Sequence, residues 1–386
     1  MVSRRPLRAI KHNWRGKMGL FSKKAADVPI ATTDELARYR KSENILRRLT
    51  GALLFPYQSD RESPCDEADF FKLKQEFFDK RIVAEGCAEY GDSYHGDFYM
   101  CQDDKRRRVT AAFGSASGKD SSGALLGAYL RGYLDNWFLK TRPDDPSREL
   151  EALCSNLNEI GIDRAMPGKF ISLAVLVLDS VTGQVWVSSR GSSKIPVVHQ
   201  NGSIAIIRLE NKPALWTISE DFLAMRETKD VRTFKLSKGD TLFLGNGPFD
   251  DIPGTDDAGP DFLLSMLKAV NSRGILKIPA KEGTERPPLD LSALPGEMDL
   301  SERMVVALLA LRLHDLAYRR TQADTEERLH AETLYIRRSH AEILGLMFPG
   351  LETERHTGNV SKLPIEIYGG FKSPVAMTLR YTGAPG

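Results

Sequence analysis

The spacing of apolar positions changes character twice along the chain. Behind Thr33-Asp34-Glu35, a capping side chain followed by acids, Leu36, Ile45, Leu46, Leu49 and Leu53 recur at helical intervals to about Leu54, and Pro56 ends the stretch. A second helix is expected over Glu67–Lys80, on Phe70, Phe71, Leu73, Phe77 and Phe78. From Arg81 to Leu313 short β-rich runs take over: Ile82–Cys87, Val109–Phe113, Phe170–Leu178, Val185–Ser188, Ile195–His199, Ile204–Leu209, Val231–Leu236, Thr241–Leu244 and Met304–Leu311. Phe170–Leu178 is apolar on both faces, the pattern of a strand covered on both sides. Thr182-Gly183, Asn201-Gly202 and Lys238-Gly239-Asp240 mark turns between runs. Three helices interrupt the strands, over Ser121–Lys140, Arg148–Ile160 and Pro260–Asn271, and residues 277–300 read as a loop.

Beyond this region, residues 314–347 read as one long charged helix ended by Pro349-Gly350. Leu329, Ile336 and Ile343 recur in it every seven residues, a short heptad that fits either packing on its own domain or a dimer contact. His330 and His340 face different ways on such a helix and make no metal pair. Residues 349–386 read as a loop and a weak hairpin, Pro364–Tyr368 with Val375–Tyr381. The expected organisation is a basic disordered tail (1–30), a helical extension (31–80), a strand-rich domain (81–313), the charged helix (314–348) and the terminal hairpin (349–386). Strands, a helix pair and then a strand meander predict an α+β domain of stacked antiparallel sheets flanked by helices.

Composition narrows the function classes. The chain has 386 residues, and its 54 Lys and Arg nearly balance its 52 Asp and Glu. That excludes a generally basic nucleic-acid wrapper. Cys65, Cys87, Cys101 and Cys154 lie far apart with no C-x-x-C pair, which argues against a zinc site or a disulfide scaffold and fits a cytoplasmic protein. No apolar run reaches the length of a membrane span. Residues 1–24 carry eight Lys and Arg and no acid before Asp27, the pattern of a solvated tail or of one that touches anionic lipid or nucleic acid. Met18-Gly-Leu-Phe-Ser-Lys-Lys resembles a natural start, so the initiator is either Met1 or Met18.

Three segments combine turn residues with candidate chemistry: His95-Gly96-Asp97-Phe98-Tyr99-Met100, Phe113-Gly114-Ser115-Ala116-Ser117-Gly118-Lys119-Asp120 before a helix, and Gly239-Asp240 with Asn246-Gly247. Each alone is an ordinary strand end. The second lacks the G-x-x-x-x-G-K-[ST] pattern of a phosphate loop, since Asp120 follows Lys119. Their order and spacing resemble PPM-type protein phosphatases, in particular the SpoIIE/RsbU branch of bacterial serine phosphatases. That branch runs G-G-D-[YF]-Y-D, G-D-V-S-G-K-G, a meander, G-D-x-L-x-x-x-[TS]-D-G and a final D-D-x-[TS] strand. Gly123-Ala124-Leu125-Leu126, Phe170–Leu173 and Ser189-Arg190-Gly191 match the parts between, and Glu302-Arg303-Met304-Val305 takes the last place.

The resemblance covers about residues 80–313. It implies an α-β-β-α sandwich, with two Mn²⁺ or Mg²⁺ ions held between the sheets by carboxylates, and a metal-acidified water attacking phosphorus. It also implies anti-sigma-antagonist-like phosphoproteins as partners, and dimerisation through the N- or C-terminal helices. The ligand set departs from the family. Asp97 is kept, Ser115 stands where the metal-bridging Asp belongs, Asn246 replaces the T-D-G Asp, and Glu302, beside the cation Arg303, replaces the final pair. Loss of two anionic ligands removes most of a dimetal site's affinity. Asp92, Asp120, Asp250 and Asp251 are near enough in sequence to substitute, although turns and helix caps are commoner places for Asp.

Three functions follow. One is a pseudophosphatase that binds a phosphoprotein without turnover. The second is an active Mn/Mg-dependent serine/threonine phosphatase with a remodelled site. The third is a scaffold acting through flanking helices, with the middle domain folded independently of residues 314–386.

Overall fold

Alternating apolar and polar positions build two antiparallel sheets with a shared core. The computed structural model describes residues 70–89, 96–104, 106–118, 121–140, 145–164, 168–192, 194–210, 212–224, 231–246, 249, 261–279, 286–322, 331–348, 362–368 and 374–383, all within one unit that begins at residue 46. The basic tail, the helix starting at Thr33, and Asp92, Asp120, Asp250 and Asp251 lie outside the described residues.

The first sheet has six strands in the order β1 (Phe70–Phe77), β2 (Ile82–Glu89), β15 (Val375–Tyr381), β10 (Thr241–Gly245), β7 (Lys194–Val198) and β8 (Ile204–Arg208). The second has five, in the order β3 (Gly96–Asp103), β4 (Arg108–Ala116), β5 (Ile171–Asp179), β6 (Gln184–Arg190) and β9 (Val231–Lys235). Helices α1 (Ser121–Lys140) and α2 (Pro146–Arg164) cover the second sheet. A short α3 (Glu220–Ala224) follows β8. Helices α4 (Asp261–Ser272), α5 (Leu300–Gln322) and α6 (Arg338–Met347) lie on the first sheet's side. The result is an α-β-β-α sandwich, as the strand and helix pattern predicts.

Strand parity sorts the side chains into two cores. On β10, Leu242 and Leu244 enter the core between the sheets, and Phe243 enters the core under α4, α5 and α6. On β15, Val375, Met377 and Leu379 face the sheets and Ala376 faces the helices. The central strand β5 is buried on both faces, with Val175, Leu176, Val177 and Leu178 inaccessible to solvent, as its continuous apolar run requires. Helix α2 starts with Pro at its first position behind Asp145, whose Oδ1 accepts the Ser147 amide at 3.0 Å.

Several expected elements differ. Phe70–Phe77, expected within a helix, is strand β1, paired with β2 from Phe70↔Glu89 to Phe77↔Ile82. Its Phe71-Lys72-Leu73-Lys74 alternation has period two, and the neighbouring strand satisfies its backbone. Met304–Leu311, expected as the closing strand, lies inside helix α5. Periodicity does not separate a buried strand from a helix buried all round, and the cap decides: Asp299 Oδ1 accepts the Glu302 amide at 2.8 Å and the Ser301 hydroxyl at 2.5 Å.

The single helix over 314–347 is also corrected. Helix α5 carries its first part, and strand β13 (Ala331–Arg337) pairs with β14 (Lys362–Tyr368) before α6 begins. Ile336 and Ile343 therefore lie on different elements, and no heptad seam joins them. The expected hairpin of 364–368 with 375–381 has its strands but not its pairing, because β15 is inserted between β2 and β10. The C-terminal segment is thus an interior strand of the sandwich, so the middle domain is not complete without it. The region 277–300, expected as a loop, contains a short strand, β12 (Leu289–Asp290), which pairs with β11 (Ile275–Leu276).

Candidate functional site

The site grows from the first strands of the second sheet. In β3 and β4, Gly96 pairs with Ala116, Asp97 with Ser115 and Phe98 with Gly114. Gly96, Phe98, Gly114 and Ala116 share the face toward α1. A Cβ on Gly96 would lie 2.3 Å from the Gly123 carbonyl oxygen, and one on Gly127 2.4 Å from that of Gly96. Small residues therefore let the start of α1 rest on the β3 backbone. Gly114 leaves room for the Phe98 ring, which a Cβ there would meet at 2.4 Å. With those residues turned to the helix, Asp97, Tyr99, Ser115 and Phe113 point at the first sheet.

Asn246, at the end of β10, meets Asp97 across the gap. Asn246 Nδ2 donates to Asp97 Oδ2 at 2.6 Å, and Asn246 Oδ1 accepts the Val375 amide of β15 at 3.1 Å. Since a backbone N–H only donates, the Val375 contact fixes the amide's orientation and turns its N–H toward Asp97. The Asn246 backbone is also tied down: its N–H donates to the Val375 carbonyl at 3.1 Å, and its carbonyl accepts the Phe249 amide at 2.9 Å. Asp97 is 1% exposed and Asn246 2%. One hydrogen-bonded pair therefore joins the sheets at this end, with Ser115 directly opposite Asp97 in register. A cleft of about 330 Å³ adjoins it, lined among others by Phe113, Ser115, Ser117, Ser172, Lys194 and Asn246. Among the described residues its lining holds hydroxyls, an amide, one ammonium and aromatic rings, and no carboxylate.

Of the remaining expected ligands, only Glu302 is among the described residues, and it is elsewhere. Glu302 is on α5, in the core on the helix side of the first sheet, where its Oε1 lies 3.0 Å from His340 Nε2 of α6. The structure does not bring it to Asp97. Strand β15 takes the closing place, reached through Phe371-Lys372-Ser373-Pro374, and Glu366 is the last acid in the chain. Val375 was missed as the partner of Asn246. The alternation of Val375, Met377, Leu379 and Tyr381 marks the strand but not what it pairs with. Two dications need several anionic oxygens. Among the described residues Asp97 is the one carboxylate at this end, and no group of three or more His, Cys, Asp or Glu is arranged to hold a metal. The described residues do not fit a two-metal centre.

Two antiparallel sheets under paired helices, with a buried Asp on the first strand of one sheet facing the other, form the α-β-β-α sandwich of PPM-type folds. Residues 105–251 match the family model of Stage II sporulation protein E (SpoIIE). Among solved structures, the SiaA-PP2C domain of Pseudomonas aeruginosa is 12% identical with a TM-score of 0.47, over 89% of this chain and 99% of that one. The phosphatase domain and regulatory-domain fragment of SpoIIE from Bacillus subtilis give 10% and 0.40, over 90% of each chain. The RsbU and RsbW domains of a Mycobacterium tuberculosis protein give 14% and 0.41, over 76% of this chain and 57% of that one. Curated proteins yield no match in sequence. Among the described residues no helix is long and apolar enough to cross a membrane.

Proposed function

We propose that this chain is a cytoplasmic pseudophosphatase: a SpoIIE/RsbU-like module that binds a regulatory phosphoprotein without hydrolysing it. The observation that carries the reading is the hydrogen bond from Asn246 to Asp97, opposite Ser115. In the resemblance these three positions belong to metal ligands. Here the anion accepts a hydrogen bond from an uncharged amide, and the other two positions carry neutral side chains. The adjoining cleft suits a hydroxyl- and amide-mediated contact more than a hard dication. A phosphoprotein partner rests on the resemblance, whose members act on anti-sigma-antagonist-type proteins.

A calorimetric Mn²⁺ titration of the full chain at neutral pH tests the reading. The expected result is no binding heat up to millimolar metal, on protein shown to be folded by its circular dichroism. Two-site binding at micromolar Mn²⁺ that Asp97→Asn removes would overturn it, and would mean that acids such as Asp120, Asp250 and Asp251 complete the centre.

A further inference from the structure

At the open edge of the sandwich, the last strands of the two sheets, β8 and β9, border a cleft of about 320 Å³. Arg208 and Leu209 line it from the first sheet, Arg232 and Thr233 from the second, and Lys212 from the segment after β8. Among the described residues, Glu210 is the one carboxylate in the lining. The cleft shares no residue with the one beside Asn246.

Lys212 is held in place by its backbone and only 7% exposed: its carbonyl accepts the Gly191 amide at 2.9 Å, and its N–H donates to the Glu210 carbonyl at 2.9 Å. The neighbouring cation Arg190 is 1% exposed, and its Nη2 lies 3.5 Å from Glu220 Oε2. That carboxylate is shared, since Ser155 Oγ and Asn158 Nδ2 also donate to it, at 3.1 and 2.7 Å. Burial, and then the charge of Arg190, hold the Lys212 ammonium below its ordinary range, against the opposing pull of Glu210, Glu220 and Glu151.

We propose that the edge cleft binds a phosphomonoester dianion. Among the described residues of the lining, three cations stand against one carboxylate, a surplus of two positive charges that a dianion matches and a single carboxylate ligand does not. Two guanidinium groups on opposing strands offer forked donors to phosphate oxygens, Lys212 supplies a point charge from the inner wall, and the Thr233 hydroxyl lies beside Arg232. The inference does not depend on the fate of the Asp97 site.

The test is calorimetric titration of the full chain with inorganic phosphate at low ionic strength, followed by a phosphoserine peptide. Phosphate should bind. Arg208→Gln and Arg232→Gln, both at exposed positions, should each weaken it about tenfold, and the double variant should abolish it. Lys238→Gln, which removes an exposed charge outside this cleft, should leave affinity unchanged. Lys212→Met should also lose binding. Because that buried position risks misfolding, the arginine variants carry the decision. A peptide that binds at least tenfold tighter than inorganic phosphate identifies a phosphorylated chain as the source, and equal affinity identifies a free phosphate. No binding of either at millimolar concentration, or equal losses in Lys238→Gln and the arginine variants, would overturn the proposal.

Discussion

Asp97 and Glu302 are two buried carboxylates on opposite sides of the same sheet, and their partners make them different devices. Asp97, on the second sheet, faces the first and accepts from an uncharged amide at 2.6 Å. Glu302 faces the helices and meets the imidazole of His340, which is fully buried, at 3.0 Å. The first contact joins two sheets at the edge of a cleft, and the second pins α6 to α5 inside a closed core. Burial and residue type are alike in the two places. What separates a candidate site from a structural clasp is which face of the strand or helix carries the acid, and whether a cavity opens beside it.

Strand β15 lies between these two regions and serves both, so its removal should have the largest effect. Truncation after Glu366 deletes Val375, Met377 and Leu379, each fully buried and worth about 2–5 kcal/mol as a core side chain, together with the backbone partner of Asn246. That exceeds what a domain of ordinary stability tolerates. Chemical denaturation followed by circular dichroism should show no cooperative transition. A folded truncated protein would mean that the first sheet closes without its interior strand.

The next effect separates the two carboxylates directly. Asn246→Asp places a second carboxylate within hydrogen-bonding distance of Asp97 and should cost on the order of 3 kcal/mol at neutral pH. Millimolar Mn²⁺ should restore part of the loss, because paired carboxylates with Ser115 nearby make a crude metal site. Glu302→Ala should cost a similar amount, about 3 kcal/mol, by leaving His340 without this contact in a closed core, and Mn²⁺ should not restore it. Thermal melts of both variants with and without metal decide the matter. Equal Mn²⁺ responses would erase the distinction drawn between the two regions.

Much of this was legible in the sequence because local signals and tertiary packing agree in the second sheet. The turn at Gly183 occurs where expected, with the positive φ that glycine tolerates, and α1 has the predicted bounds. Gly96, Asp97 and Ser115 are adjacent in space because a single hairpin joins their strands. Contacts of long sequence separation were the ones missed. Asn246 meets Val375 across 129 positions, and no local pattern carries that pairing. The run Met304–Leu311 misled because it is apolar all round, which suits a helix enclosed by a sheet and two other helices as well as it suits a strand. Glu302 was drawn to the site by that reading together with the match of Glu302-Arg303-Met304-Val305 to the final motif of the resemblance.

The smallest effect expected is on pH dependence, and it sharpens the same comparison. Helix α5 carries His314 beside the buried ion pair of Arg286 with Asp315, whose Nη2–Oδ1 distance is 2.7 Å. Burial, and then the Arg286 charge, hold the His314 imidazole below its ordinary value of 6.5, and the opposing contributions of Asp315 and the Pro287 backbone do not cancel this. With the folded value lower, the unfolded chain takes up the proton first as pH falls. The stability due to neutral His314 is therefore present above about pH 6.5 and is lost as pH falls from there toward the lower folded value. His314→Asn should make the acid-induced fall in Tm between pH 7 and 5.5 shallower by roughly 2 °C, measured against wild type in the same buffers. The variant Asn246→Asp should respond in the opposite sense. Its two carboxylates repel at neutral pH, so sharing a proton relieves them, and its deficit against wild type should shrink as pH falls. Acid thus weakens the helix side of the first sheet and repairs the engineered fault on the cleft side. Parallel acid responses in the two variants would show that the carboxylates at Asp97 and at position 246 do not share one site.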